Sequence, residues 1–280
     1  MKLFHHFPRI LLAATAFCGL SALLIVSASA PAVAGEKAAE IDFTPDESNP
    51  YSEANIELFS TNHLESIDVP TEIIYDFEHK GSLDNEFKGR VLVLVTKVLP
   101  SGRKNLSFKF LSGKRKVRFP SYKSFTGNPL FMLFLERDAR EMQKMTGGNA
   151  LFFRNRVRHA LAGLAHVTPI NFPFEGKTVD GKEIRVKPFT RESLALFEGT
   201  KGLEKRFLRF INKEYIVVTS PNVPGGIYSI TATTPSENEG DPLSVETVNF
   251  VGTEVIIREA LKGENWFTKF INLFKSPFKG

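Results

Sequence analysis

Alternating apolar and polar residues predict that the middle of the chain is mostly antiparallel sheet. Residues 73–78 alternate with a period of two, which is typical of a strand with one wet face. The unbroken apolar run 91–95 favours a strand covered on both faces. Residues 106–110 alternate again, and 117–119 continue the pattern after a glycine turn. We therefore expect a meander of four strands.

A helical period follows this meander. Asn128 and Pro129 suit the N-cap and first turn of a helix over 130–145. The pairs Glu136–Arg140 and Arg137–Glu141 are each four residues apart, so both are expected on its wet face.

A second helix is predicted directly after the first. Gly147-Gly148 ends the first helix, and Asn149 caps the next. The apolar stripe of this second helix is Phe153, Val157, Leu161 and Leu164. The two helices form an αα-hairpin inserted in the sheet.

Strand patterns return in the last third of the chain. Asp180-Gly181 predicts a hairpin turn, and 190–197 suit a short helix. Further antiparallel strands are predicted at 207–211, 215–219, 227–234 and 245–251.

The first 34 residues have the order of a secretory signal peptide. Lys2 and Arg9 precede an apolar run over 10–30, and Ala32-Val33-Ala34 is a small-residue cleavage site. Cys18 is the only cysteine and leaves with this segment. We expect a periplasmic protein cleaved near Ala34. The alternative is an uncleaved inner-membrane anchor with a periplasmic domain.

Charge divides the remaining chain unevenly. The formal net charge is +5, yet Glu36 to Glu72 contains ten acids and one base. We therefore expect residues 35–66 to be an acidic flexible arm. A single α+β domain is predicted over 67–258, and residues 259–280 follow it.

Basic residues form two clusters. Lys114, Arg115, Lys116 and Arg118 occupy one predicted hairpin. Arg154 and Arg158 lie four apart on a helix and are candidates for binding one anion. Anionic lipid headgroups, acidic glycans or the acidic arm are the expected partners, whereas nucleic acid is not expected for an exported protein. An ordinary solvated basic face is the alternative.

No catalytic residue, metal site or cofactor is predicted. His159 and His166 are seven apart and would share a helix face, but a metal site needs further ligands, and no HExxH-type spacing is present. We expect both to be polar residues beside a packed face.

Phenylalanine is unusually common: 26 Phe against five Tyr and one Trp. Phe has no polar tip and prefers a dry setting, so these rings either fill a core or line an apolar cavity for an acyl chain. The candidate lining residues are Phe108, Phe110, Phe131, Phe134, Phe153, Phe207 and Phe210.

An amphipathic helix is predicted over 259–280. Its broad apolar face has basic flanks, which suits contact with a membrane interface, a partner or its own domain. The residues of this face are Trp266, Phe267, Phe270, Ile271 and Phe274.

Segments such as Gly127-Asn128-Pro129, Phe134 to Asp138 and Thr146-Gly147-Gly148 resemble those of a distinct family of exported bacterial proteins. The layout of 70–258, with helices near 129–165, also resembles the periplasmic lipoprotein and lipid carriers of the LolA/LppX type. That resemblance implies a curved antiparallel half-barrel with helices plugging an apolar concave face. It is a likeness of architecture, so no functional residue is carried over.

These patterns together favour a non-enzymatic periplasmic protein that binds an apolar or amphipathic ligand, such as a lipid or a lipoprotein acyl chain. One alternative is a cell-envelope interaction or assembly factor that acts through its C-terminal helix or acidic arm. Another is a hydrolase built around His159 or His166.

Overall fold

The computed structural model describes residues 52–190, 207–236 and 240–257, all within one compact unit. Nine strands and two long helices make up most of it. The strands are β1 (Thr71–Lys80), β2 (Phe87–Val98), β3 (Lys104–Phe110), β4 (Tyr122–Phe125), β5 (His166–Phe174), β6 (Lys177–Val186), β7 (Glu214–Thr219), β8 (Ile227–Thr234) and β9 (Ser244–Val255). The helices are the three-residue α1 (Glu53–Asn55), α2 (Leu130–Thr146) and α3 (Ala150–Gly163).

All nine strands belong to one open, curved sheet. Their order is β4-β3-β2-β1-β9-β8-β7-β6-β5, and every neighbouring pair is antiparallel. The strands β4 and β5 form the two edges, and β1 pairs with β9 in the middle. The predicted α+β class with a mainly antiparallel sheet is therefore confirmed.

In the chain, the αα-hairpin follows β4 and precedes β5, and its ends lie where the local signals predicted. Gly147 ends α2 in the left-handed region with a φ of 72°. The side chain of Asn149 accepts a hydrogen bond from the amide of Leu151 at 2.8 Å and so caps α3. Leu164 is the exception within the predicted stripe, because α3 ends at Gly163 and leaves this side chain 50% exposed.

The core lies between the sheet and this hairpin and is rich in aromatic rings. Phe77 of β1 contacts Phe110 and Phe134, at centroid distances of 6.2 and 6.4 Å. Phe153 of α3 contacts Phe207 and Phe210 at 5.2 and 6.2 Å. These tilted and edge-on contacts are the arrangements that aromatic pairs favour.

Two predictions for the second half of the chain are wrong. Asp180-Gly181 is not a turn, because both residues lie within β6 and pair with β5. The chain turns instead at Glu175-Gly176, where φ is 48° and 75°. Residues 207–211 form a helical turn rather than a strand, and this turn directs Phe207 and Phe210, three apart, into the same core.

The fourth strand of the meander lies slightly later than predicted. Val117 makes only an isolated bridge to Phe110, and Phe119 packs on the ring of Phe110 at 5.6 Å. The paired strand is β4. After a 3-10 turn at Gly113–Arg115, residues 116–119 keep the alternation without a full ladder.

The prediction of a flexible arm is wrong for residues 52–66. This segment forms α1 and then a π-helix, Ile56–Ser60. It buries Ala54, Leu58 and Leu64 in the main core. The acidic composition did predict exposure for some positions, but these three apolar side chains are enough to anchor the segment.

Several predictions lie outside the described residues. They are the signal peptide over 1–34, the arm over 35–51, the short helix from 191 onward and the C-terminal amphipathic helix with Trp266, Phe267, Phe270, Ile271 and Phe274. Among the helices that the structure does describe, none has the length and apolar character needed to cross a bilayer.

Candidate functional site

A groove of about 320 Å³ lies between the αα-hairpin, the β4 edge and the π-helix. Its wall is mainly aromatic and aliphatic, with charged groups contributed by the two helices. The apolar part of the lining consists of Phe59, Phe119, Pro120, Tyr122, Met132, Leu133 and Leu135.

The charged groups of the groove are mostly cationic. Arg140 and Arg154 donate to the two carboxylate oxygens of Glu136, at 2.9 and 2.7 Å. Arg158 also lines the groove, with its guanidinium carbon 5.9 Å from the centroid of Phe59. Arg140 and Arg154 therefore share one carboxylate, so the two positive charges of this cluster exceed its single negative charge.

The structure brings the predicted anion-binding pair to this groove. Arg154 is 37% exposed, and its Nε is buried without a hydrogen-bond partner among the described residues. Arg158 lies one turn further along α3 and is exposed. Their spacing of four residues places both on the groove side, as the sequence indicated. Anion binding by this pair stays a prediction.

The seven candidate phenylalanines do not line the groove themselves. Six are at least 97% buried in the core, and Phe108 is partly buried against it. Three of the seven pack directly behind groove-lining rings. These contacts are Phe108 with Tyr122 at 5.4 Å, Phe110 with Phe119 at 5.6 Å and Phe131 with Phe59 at 6.1 Å.

A second depression, of about 480 Å³, is polar. Glu57, on the π-helix, lies at its centre and accepts hydrogen bonds from Thr219 at 2.9 Å and Lys182 at 3.1 Å. His63 lies 3.5 Å from the same carboxylate. The His63 hydrogen bond, opposed by burial but assisted by Thr219 and Lys182, lowers the pKa of Glu57 to about 2.

Beneath α2, charged side chains form a buried network against the sheet. Arg137 donates to both carboxylate oxygens of Glu246, each at 2.7 Å, and His79 Nδ1 lies 3.0 Å from one of them. Burial tends to raise the pKa of Glu246, but the His79 hydrogen bond and the charges of Arg137 and Lys213 outweigh it and lower that pKa to about 2.

Asp138 forms the other half of this network. Lys213 donates to it at 2.6 Å, and the hydroxyl of Tyr215 donates to its second oxygen. Burial, and then the charge of Asp138, raise the pKa of Tyr215 well above its usual value. The charges of Arg137, Glu246, Lys213 and Asp138 are matched in pairs, and the network fastens α2 to the sheet. Nε2 of His79 is the exception, since it is buried without a hydrogen-bond partner among the described residues.

The acid pairs on α2 only partly follow the sequence prediction. The Glu136–Arg140 pair is confirmed. The Arg137–Glu141 pair is wrong, because Arg137 is buried and binds Glu246 across 109 positions, while Glu141 accepts from Lys144. Its neighbour Asp138 is also paired across the core, with Lys213.

The two histidines considered for chemistry do not share a helix face. His159 is exposed on α3, whereas His166 begins β5 and is also exposed. Across residues 52–190, 207–236 and 240–257, no group of three His, Cys, Asp or Glu side chains is arranged to hold a metal ion.

Sequence patterns missed the polar depression and the buried network. Glu57 meets Thr219 across 162 positions, and Asp138 meets Tyr215 across 77. Neither contact leaves a local spacing signal.

Comparison with known proteins returns structures but no sequence relatives. No family model and no curated protein matches the chain. Among solved structures, the lipoprotein LppX of Mycobacterium tuberculosis aligns with 8% identity and a TM-score of 0.28, over 66% of this chain and 87% of LppX. A LolA superfamily protein of Nitrosomonas europaea aligns with 9% identity and a TM-score of 0.22, over 76% of this chain and 98% of the other. Both aligned structures are of the LolA/LppX type that the layout of the sequence resembles, and no property of either protein is carried over to this chain.

Proposed function

We propose that this protein binds an amphipathic ligand, with an apolar chain in the groove and an anionic head beside Arg154 and Arg158. The observation that carries the proposal is the composition of the groove: an aromatic and aliphatic wall that meets an excess of guanidinium groups. Small-molecule sites typically combine a mostly apolar lining with a few orienting polar groups.

The size of the groove favours one apolar chain over a bulky ligand. Its volume of about 320 Å³ is near the lower end of the roughly 300–1,000 Å³ usual for ligand pockets. The rings of Phe108, Phe110 and Phe131 form a second layer behind it. A fatty acid, or one acyl chain of a lipid or lipoprotein, fits these dimensions and this lining.

The charge of the groove favours an anionic head. Glu136 already accepts from two arginines, so a ligand carboxylate or phosphate would take the remaining donors. Among the described residues Arg154 donates to Glu136 through Nη1 alone, which leaves its Nη2 as one such donor. Charge-assisted hydrogen bonds of this type are stronger than neutral ones and orient the ligand.

We also propose that the protein acts in the periplasm. The support is the N-terminal order of basic residues, apolar run and small-residue site. Mass spectrometry of the chain recovered from a periplasmic fraction would show a new N-terminus at Gly35. A chain that stays whole and sediments with membranes would favour the anchored alternative.

The ligand proposal is tested by titrating the purified chain with a fluorescent fatty acid, 11-(dansylamino)undecanoic acid. Met132→Trp places an indole in the groove and is expected to weaken binding at least about tenfold. Leu151→Trp is the matched control, because Leu151 is 46% exposed on the next helix. Equal binding by wild type and Met132→Trp would contradict the proposal.

The role of the arginines is tested separately. Arg154→Gln with Arg158→Gln is expected to weaken the anionic probe about tenfold while a dansyl amide of the same chain length is affected much less. Lys144→Gln with Lys177→Gln removes the same charge elsewhere. Mass spectrometry of wild type purified without detergent would then identify any retained lipid.

A further inference from the structure

One stretch of the chain, from Phe87 to Leu135, contains no acidic residue. It spans β2, β3, β4 and the first part of α2. Because the whole chain has 36 bases and 31 acids, the residues outside this stretch carry 25 bases against those 31 acids. The net positive charge of the chain therefore comes from this stretch, whose strands β4, β3 and β2 form one end of the sheet. Its eleven bases are Lys88, Arg90, Lys97, Arg103, Lys104, Lys109, Lys114, Arg115, Lys116, Arg118 and Lys123.

Four of these cations are exposed at the β4 edge and have no carboxylate partner among the described residues. They are Lys114, Lys116, Arg118 and Lys123, named here the cationic edge. In contrast, Arg115 between them pairs with Asp84 at 2.6 Å. At the other end of the sheet, Lys182, Arg185 and Lys187 are all paired with glutamates.

The cationic edge is directly continuous with the groove. Phe119 and Pro120, which line the groove, follow Arg118 in the chain, and Tyr122 precedes Lys123. Lys116 and Arg118 alternate with Val117 and Phe119, so the cations point away from the core on which these apolar side chains pack. The groove therefore opens directly beside the four cations of the cationic edge.

We propose that the cationic edge docks this protein on an anionic lipid bilayer and so brings the groove to the membrane surface. Charge complementarity identifies the partner, because clustered Lys and Arg side chains attract anionic headgroups by about 1 kcal/mol each. The apolar groove beside them favours a bilayer over nucleic acid, since it offers a place for an acyl chain. The proposal extends the proposed function but is measured independently of it.

The test is co-sedimentation of the full chain with vesicles of phosphatidylcholine, with and without 30% phosphatidylglycerol (a composition of about one anionic lipid in three). The variant Lys114→Gln/Lys116→Gln/Arg118→Gln/Lys123→Gln is expected to bind anionic vesicles at least about 100-fold more weakly. Any binding through other apolar segments would be equal for both vesicle types, so only the charge-dependent part is compared.

A matched control removes the same net charge from elsewhere. Lys80→Gln/Lys144→Gln/Lys177→Gln/Lys187→Gln changes four exposed lysines outside the acid-free stretch. It is expected to lose less than about threefold in vesicle binding. Equal losses in both quadruple variants would overturn the proposal, since net charge alone would then explain the binding. Equal wild-type binding to neutral and anionic vesicles would also overturn it.

Two further outcomes would assign the cations another role. Lysines on an edge strand oppose edge-to-edge association of sheets, so a cationic-edge variant that oligomerises but binds vesicles normally would overturn the proposal. Salt-sensitive binding of duplex DNA, lost in that variant while vesicle binding persists, would do the same. Titration with the dansyl fatty acid separates the two proposals, because the cationic-edge variant is expected to keep its affinity for the probe.

Discussion

The charged side chains on the two sides of α2 differ in how completely they are paired. On the sheet side, Arg137 and Asp138 are buried and every charge has its counterpart. On the groove side, the adjacent Glu136 is shared by two arginines, and cations remain in excess. Matched charges in a dry interior can only hold elements together, whereas unmatched charges beside water are available to a ligand. One helix thus faces a matched interior on one side and the proposed ligand groove on the other.

The largest difference in stability between the two sides is expected when one partner of the buried Arg137–Glu246 pair is removed. Glu246→Gln leaves the guanidinium of Arg137 buried without its counter-charge, so we expect a loss of about 3–5 kcal/mol in the free energy of unfolding. Glu136→Gln is the control and should cost at most about 1 kcal/mol. Urea unfolding monitored by circular dichroism measures both. Similar losses would mean that the two sides are equivalent.

Removing both buried charges sharpens the same point. Arg137→Met with Glu246→Leu leaves no uncompensated ion, and we expect it to recover most of the stability lost in Glu246→Gln. The residual cost comes from His79, which loses its partner. A double variant no more stable than the single one would show that packing around the network, and not its charge balance, dominates.

Acid stability is the next expected difference. The pKa of Glu246 is lowered to about 2 in the folded state, below its value of about 4.3 in an unfolded chain. Its contribution to stability is therefore complete above about pH 4.3 and is lost as the pH falls toward 2. Urea midpoints at pH 7, 4 and 3 should fall less steeply in Glu246→Gln than in wild type.

Glu57, whose pKa is also about 2, contributes in the same pH window. Some acid sensitivity should therefore persist in Glu246→Gln and decrease further when Glu57→Gln is added. If the urea midpoints of wild type and Glu246→Gln fall equally between pH 7 and pH 3, the lowered pKa of Glu246 would be contradicted.

The smallest effect is expected on the groove side, and its sign is opposite. Glu136→Gln frees Arg140 and Arg154 from their carboxylate, so the dansyl fatty acid should bind about threefold more tightly. The amide of the same probe should show no such gain. Weaker binding of the anionic probe would mean that Glu136 positions the arginines instead of competing for them.

Local signals in the sequence were enough for elements that local forces define. The glycine stop at Gly147 and the cap at Asn149 fix the αα-hairpin, and the alternation around Tyr75 fixes β1. Asp180-Gly181 misled because a turn dipeptide can be accommodated inside a strand when a neighbouring strand, here β5, supplies a ladder. There, tertiary pairing overrides turn propensity.

The candidate site was predictable only in part. Arg154 and Arg158 were found because residues four apart on a helix share a side. The groove itself was not, since Phe59, Tyr122 and Leu133 come from three elements with no common pattern. The assignment of Arg137 failed for a related reason: the rule for helical neighbours cannot weigh Glu141 against a distant strand.

The pairing of β1 with β9 determines when the middle of the sheet can form during synthesis of the chain. His79 and Glu246 are 167 positions apart, so the central ladder closes only after nearly the whole polypeptide is present. Topologies dominated by such distant pairings fold slowly. The middle of the sheet is therefore expected to stay open until β9 has been synthesised, whereas the local pairings of β1 with β2 and of β2 with β3 need no such distant partner.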